Sequence, residues 1–350
     1  MNKLITIGSK KVGNDYKPFI IAEMSGNHNQ SIERAYAIID AAVNSGADAI
    51  KLQTYTPDTM TIQANTGLFQ ISDENSLWKG RNLYDLYKEA HTPWEWHKPL
   101  FEYANKRGIF IFSTPFDETA VDFLEQLGVQ AYKIASFENT DHPLLKKVAS
   151  TGKPVIMSTG LATLADLDES VRVLAENGCT DLILLKCTST YPASPENTNL
   201  LTIPHMAKLF DCLVGLSDHT MGIGAAIASV ALGANVIEKH FTLSRADGGV
   251  DSTFSIEPNE LENLVIESER AFLAMGNIQY GVQNVEKSSL RFKRSVYVVK
   301  DILPGDEFDP SNIRVIRPGD GMPPKYYERI LGKKSKVFYK KGMPLNWDTL

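Results

Sequence analysis

A chain of 350 residues with 43% hydrophobic and 22% charged side chains holds enough apolar material for a sizeable core, which excludes a disordered or fibrous protein. Its net charge of −6 argues against a general nucleic-acid binder, because that role needs a basic surface to displace counterions. Cys179, Cys187 and Cys212 show no CxxC spacing, which argues against disulfides and a thiolate metal site; they are expected to be reduced, with Cys187 in the core.

The opening MNKLITIGSKKVGNDYKPF has no apolar segment of signal-peptide length, and AAIASVALGANVI is too short and too polar to span a bilayer. A cytoplasmic protein with no membrane partner is expected. From residue 19, eight short apolar runs follow: FIIAEM (19–24), AIKLQTY (49–55), IFIFSTP (109–115), AYKIAS (131–136), PVIMST (154–159), DLILLKCT (181–188), LVGLSD (213–218) and VIEKHF (236–241). Helical patterns separate them, such as SIERAYAIIDAAVNSG with Ser31 as N-cap and Gly46 as C-cap, then ETAVDFLEQLG, TLADLDESVRVLAENG and, last, PNELENLVIESERAFLAMG. Continuously apolar strands joined by helices are parallel and covered on both faces. Eight such units predict an α/β protein, a (β/α)8 TIM barrel, over residues 1–280.

The long connection from Thr56 to Gly108 holds Trp78, Trp94 and Trp96 and reads as an elaborated loop over one end of the barrel. GVQNVEKSS falls in a predicted linker at 281–290. Residues 291–350, broken by PGD, PGDG, MPP and KKG, predict a small β-rich domain. Residues 290–350 carry 13 basic and 7 acidic side chains, which leaves the preceding residues at −12. That asymmetry suggests a separate unit able to dock on an acidic surface. GIGAAI at Gly222 lacks the third glycine of a dinucleotide fingerprint and reads as helix-entry packing, and KKSKVFYKK reads as a solvated face.

Active sites of such barrels lie at the C-terminal strand ends. Here those ends offer Glu23, Lys51 and Gln53, Ser113 and Thr114, Lys133 and Ser136, Ser158, Lys186 and Ser189, Ser217 and His219, and Glu238 and His240. Ordinary exposure of strand ends does not select lysines inside apolar runs, since unpaired buried lysine is costly. Lysines there need anions, from nearby carboxylates or from a ligand. With hydroxyls at Thr114, Ser136, Ser158 and Ser217, the set suits a small phosphorylated, carboxylated molecule. His219 and His240 come from adjacent strands and are candidate ligands of one divalent ion with open positions; Asp218 reads as a loop residue or a support rather than a ligand. Glu23 is a candidate proton handler or an ion-pair partner of Lys51 or Lys133, whose charge would lower its pKa.

IAEMSGNHN, GADAIKLQTY, FSTPFD, YKIASFE, STGLAT, KCTSTYP, GLSDHT and EKHFTL, followed by RSVYVVKDI and RPGDG in an antifreeze-like (SAF) tail, resemble the sialic acid synthase family over nearly the whole chain. That family condenses phosphoenolpyruvate with N-acetylated amino sugars. The resemblance implies a transferase with a divalent metal ion (Mn²⁺, Mg²⁺ or Co²⁺) on His219 and His240. It places Lys51, Thr114, Lys133, Ser136, Ser158 and Ser217 around phosphoenolpyruvate, and Glu23, Gln53, Glu138, Tyr191, Glu238 and Asp251 on the amino-sugar or water side. Arg317 in RPGDG matches an arginine that reaches the neighbouring subunit's barrel in a domain-swapped homodimer. MSGNHN, Ser189 in place of a typical asparagine, and the insert ENSLWKGRNLYDLYKEAHTPWEWH resemble the branch that makes pseudaminic acid, and the insert's tryptophans could wall the less polar end of its sugar. Neuraminic or legionaminic acid synthesis, a metal-dependent aldolase and a catalytically silent sugar sensor are the competing readings.

Overall fold

Every one of the eight apolar runs folds as a strand, and the helical patterns between them return the chain in one direction. In the computed structural model, which describes residues 1–74 and 76–349, two units are separable, Met1–Gly276 and Asn277–Leu350. The first unit opens with a hairpin of β1 (Leu4–Ile7) and β2 (Lys10–Gly13), which precedes the eight apolar runs. The barrel strands follow as β3 (Phe19–Glu23), β4 (Ala49–Thr54), β5 (Phe110–Pro115), β6 (Tyr132–Ile134), β7 (Val155–Ser158), β8 (Leu182–Cys187), β9 (Leu213–Asp218) and β10 (Val236–His240). They are all parallel and close into a barrel in sequential order, with β10 pairing β3.

Alternation along the strands decides where the site lies. Ile21, Ala49, Phe112, Ile156, Ile183, Leu213 and Val236 fill the lower barrel, and Ile5, Ile7 and Val12 of the hairpin pack into the same cluster, closing the N-terminal end. Each fully buried aliphatic side chain contributes roughly 1.5–3 kcal/mol, so this half is a packed plug and polar residues can face inward only above it. The opposite strand faces meet the helices in a second, larger core. Ser31 caps helix Ile32–Asn44 through Arg34 N, as expected, and the chain leaves that helix through Ser45 with Gly46 at φ +81°.

The second unit pairs β11 (Ser295–Val298) with β12 (Ile313–Ile316) around Val296, Val298, Ile302, Phe308, Ile313 and Tyr339. Residues 284–292, most of which fall in the expected linker at 281–290, form a 3₁₀ helix with a Gln283–Glu286 capping box. No helix among the described residues is long and apolar enough to cross a membrane.

Candidate active site

The inward positions above the plug line a cavity of about 350 Å³ at the C-terminal strand ends, within the usual range for small-molecule sites. Two buried lysines form its floor. Lys51 Nζ on β4 lies 2.6 Å from Glu23 Oε2 on β3, 3.6 Å from Glu238 Oε2 on β10, and donates to Thr114 Oγ1 at 3.0 Å. Lys133 Nζ on β6 donates to Ser158 Oγ at 2.6 Å and lies 3.7 Å from Glu238 Oε1, which accepts from Ser217 Oγ at 2.9 Å. The lysines find anions within the barrel, as their burial requires.

Burial dominates the electrostatics. It raises Glu23 to about 7 against the pull of Lys51, with Glu238 adding to the rise; the expected lowering by lysine is therefore reversed, because desolvation outweighs attraction. Burial likewise raises Glu138 to about 7 against Lys133, and its Oε2 has no hydrogen-bond partner. Burial also favours the neutral form of Glu238, but Lys133, Lys51 and the Ser217 hydroxyl outweigh it and hold that carboxyl below its ordinary value. Lys133 is lowered by burial, which Glu238 offsets in part, while Glu23 and Glu238 overcome burial to raise Lys51.

His219 follows β9 and His240 ends β10, with ring centroids 5.4 Å apart. His219 Nδ1 lies 2.9 Å from Thr188 O, a contact that assigns the proton to Nδ1 and leaves Nε2 with its lone pair. His240 Nδ1 is buried with no hydrogen-bond partner, 3.7 Å from Asp251 Oδ2, and burial first, then the neighbouring His219 imidazole, holds this ring well below its ordinary pKa. Rings bound to one ion at about 2.1 Å have centroids about 5 Å apart, so the pair fits a divalent metal. Among the described residues no three His, Cys, Asp or Glu side chains group as a closed metal site; two imidazoles would make an open one. Tyr191 and Phe254 pack on these rings, at 4.4 Å from His219 and 4.9 Å from His240.

Beside Glu23, Gln53 Nε2 donates to Glu23 Oε1 and to Ser25 Oγ, both at 3.0 Å, and Ser25 Oγ donates to Asp251 Oδ2. Ser25 is buried in the left-handed region at φ 47°, a conformation that costs about 1 kcal/mol or more in a non-glycine residue and directs its hydroxyl into this network. Ser136 Oγ accepts from Gly160 N at 3.2 Å, where a Cβ would lie 2.7 Å from Ser136 Oγ and 2.1 Å from Ser189 Oγ. Glycine at 160 thus allows the β7 loop to approach both serines. Met60, Ile71, Leu83, Leu86 and Phe116 form an apolar wall with Trp78, whose Nε1 donates to Val250 O at 3.0 Å.

The NeuB family profile matches residues 38–280, and the SAF domain profile matches residues 293–350. The chain belongs to the NeuB family. Pseudaminic acid synthase of Campylobacter jejuni subsp. jejuni serotype O:2 is 43% identical over 95% of this chain and 97% of its own length. Pseudaminic acid synthase of Helicobacter pylori is 42% identical over 95% of this chain and 98% of its own. The solved N-acetylneuraminic acid synthetase of Leptospira borgpetersenii serovar Hardjo-bovis, in complex with citrate, superposes with a TM-score of 0.72 at 33% identity, covering 83% of this chain and 95% of that one.

Glu23, Lys51, Gln53, Thr114, Lys133, Ser136, Glu138, Ser158, Tyr191, Ser217, His219, Glu238, His240 and Asp251 lie in or directly beneath this cavity. Ser189 does not line it; its hydroxyl sits 3.7 Å from Cys187 Sγ and beside Gly160. Arg317 belongs to the second unit, where Nε donates to Phe292 O at 2.7 Å. The assignments of Lys186, Ser113 and the insert's tryptophans are corrected. Lys186 and Ser113 have the outward parity of their strands: Lys186 Nζ donates to Cys187 O, and Ser113 Oγ pairs with Thr54. Cys187 is buried in the core as expected, and, sharing the parity of Ile183 and Leu185, it also borders the cavity. Trp94 is stacked on Phe123 at 4.5 Å and Trp96 packs on His28, so of the three tryptophans only Trp78 reaches the cavity. Parity along one strand leaves open whether Lys186 or Cys187 faces the lumen, and no sequence signal marks Ser25.

Proposed function

We propose that this NeuB-family chain acts as a pseudaminic acid synthase, joining phosphoenolpyruvate, 2,4-diacetamido-2,4,6-trideoxy-β-L-altropyranose and water into pseudaminic acid and phosphate. The observation that carries the reading is the meeting, in one cavity, of a lysine-and-hydroxyl floor, an open histidine pair and an uncharged wall. The 42–43% identity to two pseudaminic acid synthases over 95% of the chain supports it.

Lys51 and Lys133 hold the carboxylate and phosphate of phosphoenolpyruvate, with Thr114, Ser136, Ser158 and Ser217 as hydroxyl partners. A divalent ion (Mn²⁺, Mg²⁺ or Co²⁺) on His219 and His240 would supply Lewis-acid polarisation of the open-chain sugar's C1 carbonyl. C3 of phosphoenolpyruvate bonds to C1, water adds at C2, and phosphate departs with cleavage of its C–O bond. Glu23 and Glu138, both raised to about 7, can take and return protons near neutral pH. Glu238, held as carboxylate between the lysines, keeps Ser217 oriented. Gln53, Tyr191 and Asp251 face the sugar, and the Trp78 wall receives its C6 methyl end. Arg317 of a second copy completes the site in a domain-swapped homodimer, a reading supported by the basic tail and acidic remainder of the chain. The same reading gives an enzyme of the cytoplasm.

The test is incubation with phosphoenolpyruvate, Mn²⁺ and a panel of amino sugars, following phosphate and product mass. Phosphate carrying ¹⁸O from the bridging position, with the trideoxy sugar preferred, is the expected result. Product formed from pyruvate in a parallel incubation, with no phosphate released, would indicate an aldolase, preference for N-acetylmannosamine or the legionaminic precursor would move the chain to another branch, and no turnover with either three-carbon acid would favour a sugar sensor. Activity restored by mixing an Arg317→Ala variant with a barrel-site variant is expected of the exchanged dimer.

A further inference from the structure

Asp218 and Lys239 form an ion pair that the proposed chemistry does not use. Lys239 Nζ lies 2.8 Å from Asp218 Oδ2, and the side chains are 1% and 0% exposed. The two residues are register partners on β9 and β10 and the last pair of that ladder. Each sits between two cavity groups: Asp218 between Ser217 and His219, Lys239 between Glu238 and His240. Alternation sends the ion pair out of the lumen while its neighbours point in.

The contacts continue past the ladder. Lys239 Nζ donates to Thr220 O at 2.8 Å, and Asp218 Oδ1 accepts from Thr220 N at 2.9 Å. His219, one residue beyond the end of β9, is thereby held between two residues tied to β10. A buried ion pair adds little net stability, because desolvation offsets the attraction. Its cross-strand bonds do restrict how the two strand ends can shift.

We propose that Asp218 and Lys239 are positioning residues that lock the end of β9 to the end of β10, and so set the spacing at which His219 and His240 share one divalent ion. The inference rests on reading those histidines as the metal site. Groups behind a metal site that orient its ligands typically contribute 10- to 100-fold in affinity, whereas a purely structural pair would move the melting temperature and leave metal affinity in place.

The test is Mn²⁺ titration of the full-length protein, with free Mn²⁺ read by electron paramagnetic resonance and folding read by thermal melting. The double variant Asp218→Asn/Lys239→Met keeps volume and the bond from Thr220 N but removes the tie; it is expected to melt cooperatively and bind Mn²⁺ 10- to 100-fold more weakly. Affinity within threefold of wild type in that folded variant would overturn the proposal. If the double variant does not fold, Asp218→Asn alone carries the test, with a three- to tenfold loss expected and an unchanged Kd overturning it. His219→Ala is the reference: Mn²⁺ binding unaffected there would remove the metal site itself, while binding lost there and kept in the double variant would overturn the positioning role alone.

Discussion

Lys51 Nζ and Glu23 Oε2 lie 2.6 Å apart at the mouth of the barrel, with side chains 5% and 1% exposed. Removing one member of such a pair commonly costs about 3–5 kcal/mol, since the other is left buried and uncompensated. Lys51→Met is therefore expected to lower the melting temperature markedly and to abolish phosphoenolpyruvate binding. Glu23→Gln, which keeps shape and leaves Lys51 beside Glu238, is expected to fold. Its kcat should fall roughly 10²- to 10⁴-fold, the usual contribution of a positioned proton carrier, with KM for phosphoenolpyruvate within a few-fold. An unchanged kcat would reduce Glu23 to an ion-pair partner.

Glu138 gives a pH test with a defined sign. Its folded pKa is raised by burial from an ordinary 4.5 to about 7, so its contribution to stability is complete below pH 4.5 and is lost as pH rises through 7. The full shift corresponds to about 3 kcal/mol. Glu138→Gln is expected to match wild type below pH 4.5 and to exceed it in stability at pH 8, as read by denaturant unfolding at both values. The same variant should remove a limb near pH 7 from the kcat/KM profile.

His97 behaves in the opposite direction. Burial holds it, and likewise His28, at about 4 and neutral in the fold. Because both folded values lie below 6.5, stability is lost as pH falls from 6.5 through 4, by about 3 kcal/mol for each ring at the acid limit. Glu23 and Glu138 gain stability over much of the same window, so the wild-type curve is flattened. The readable quantity is a difference. His97→Gln, able to keep a hydrogen bond to Thr54, is expected to lose less stability than wild type between pH 6.5 and 4 in denaturant titrations.

Trp78 and Trp94 separate substrate choice from packing. Trp78→Ala removes both a cavity face and the bond to Val250 O. It is expected to raise KM for the sugar about tenfold, to leave KM for phosphoenolpyruvate unchanged, and to narrow the preference for a 6-methyl over a 6-hydroxymethyl sugar; an apolar contact of this size discriminates by roughly 10- to 200-fold. Trp94→Ala, acting on the stack with Phe123, should lower the melting temperature with preference intact. Unchanged preference in Trp78→Ala would remove the apolar wall from substrate selection.

The sequence by itself determined the barrel, its eight strands within a residue or two, and the pairs Lys51–Gln53, Ser217–His219 and Glu238–His240, because two-residue alternation and helix caps are local properties that survive without neighbours. It also placed the lysines and histidines at one end of the fold. Tertiary structure alone decided the rest. Lys186 and Cys187 are adjacent in one strand, and only the barrel's closure says which of them faces the lumen, since a shift of one residue exchanges the faces. Trp78 and Trp94 lie in one insert, yet the path of that insert brings a single indole to the cavity. The strength of burial around Glu23 reversed the sign expected from its lysine neighbour, for desolvation depends on everything packed around a group and on no one residue beside it in the chain.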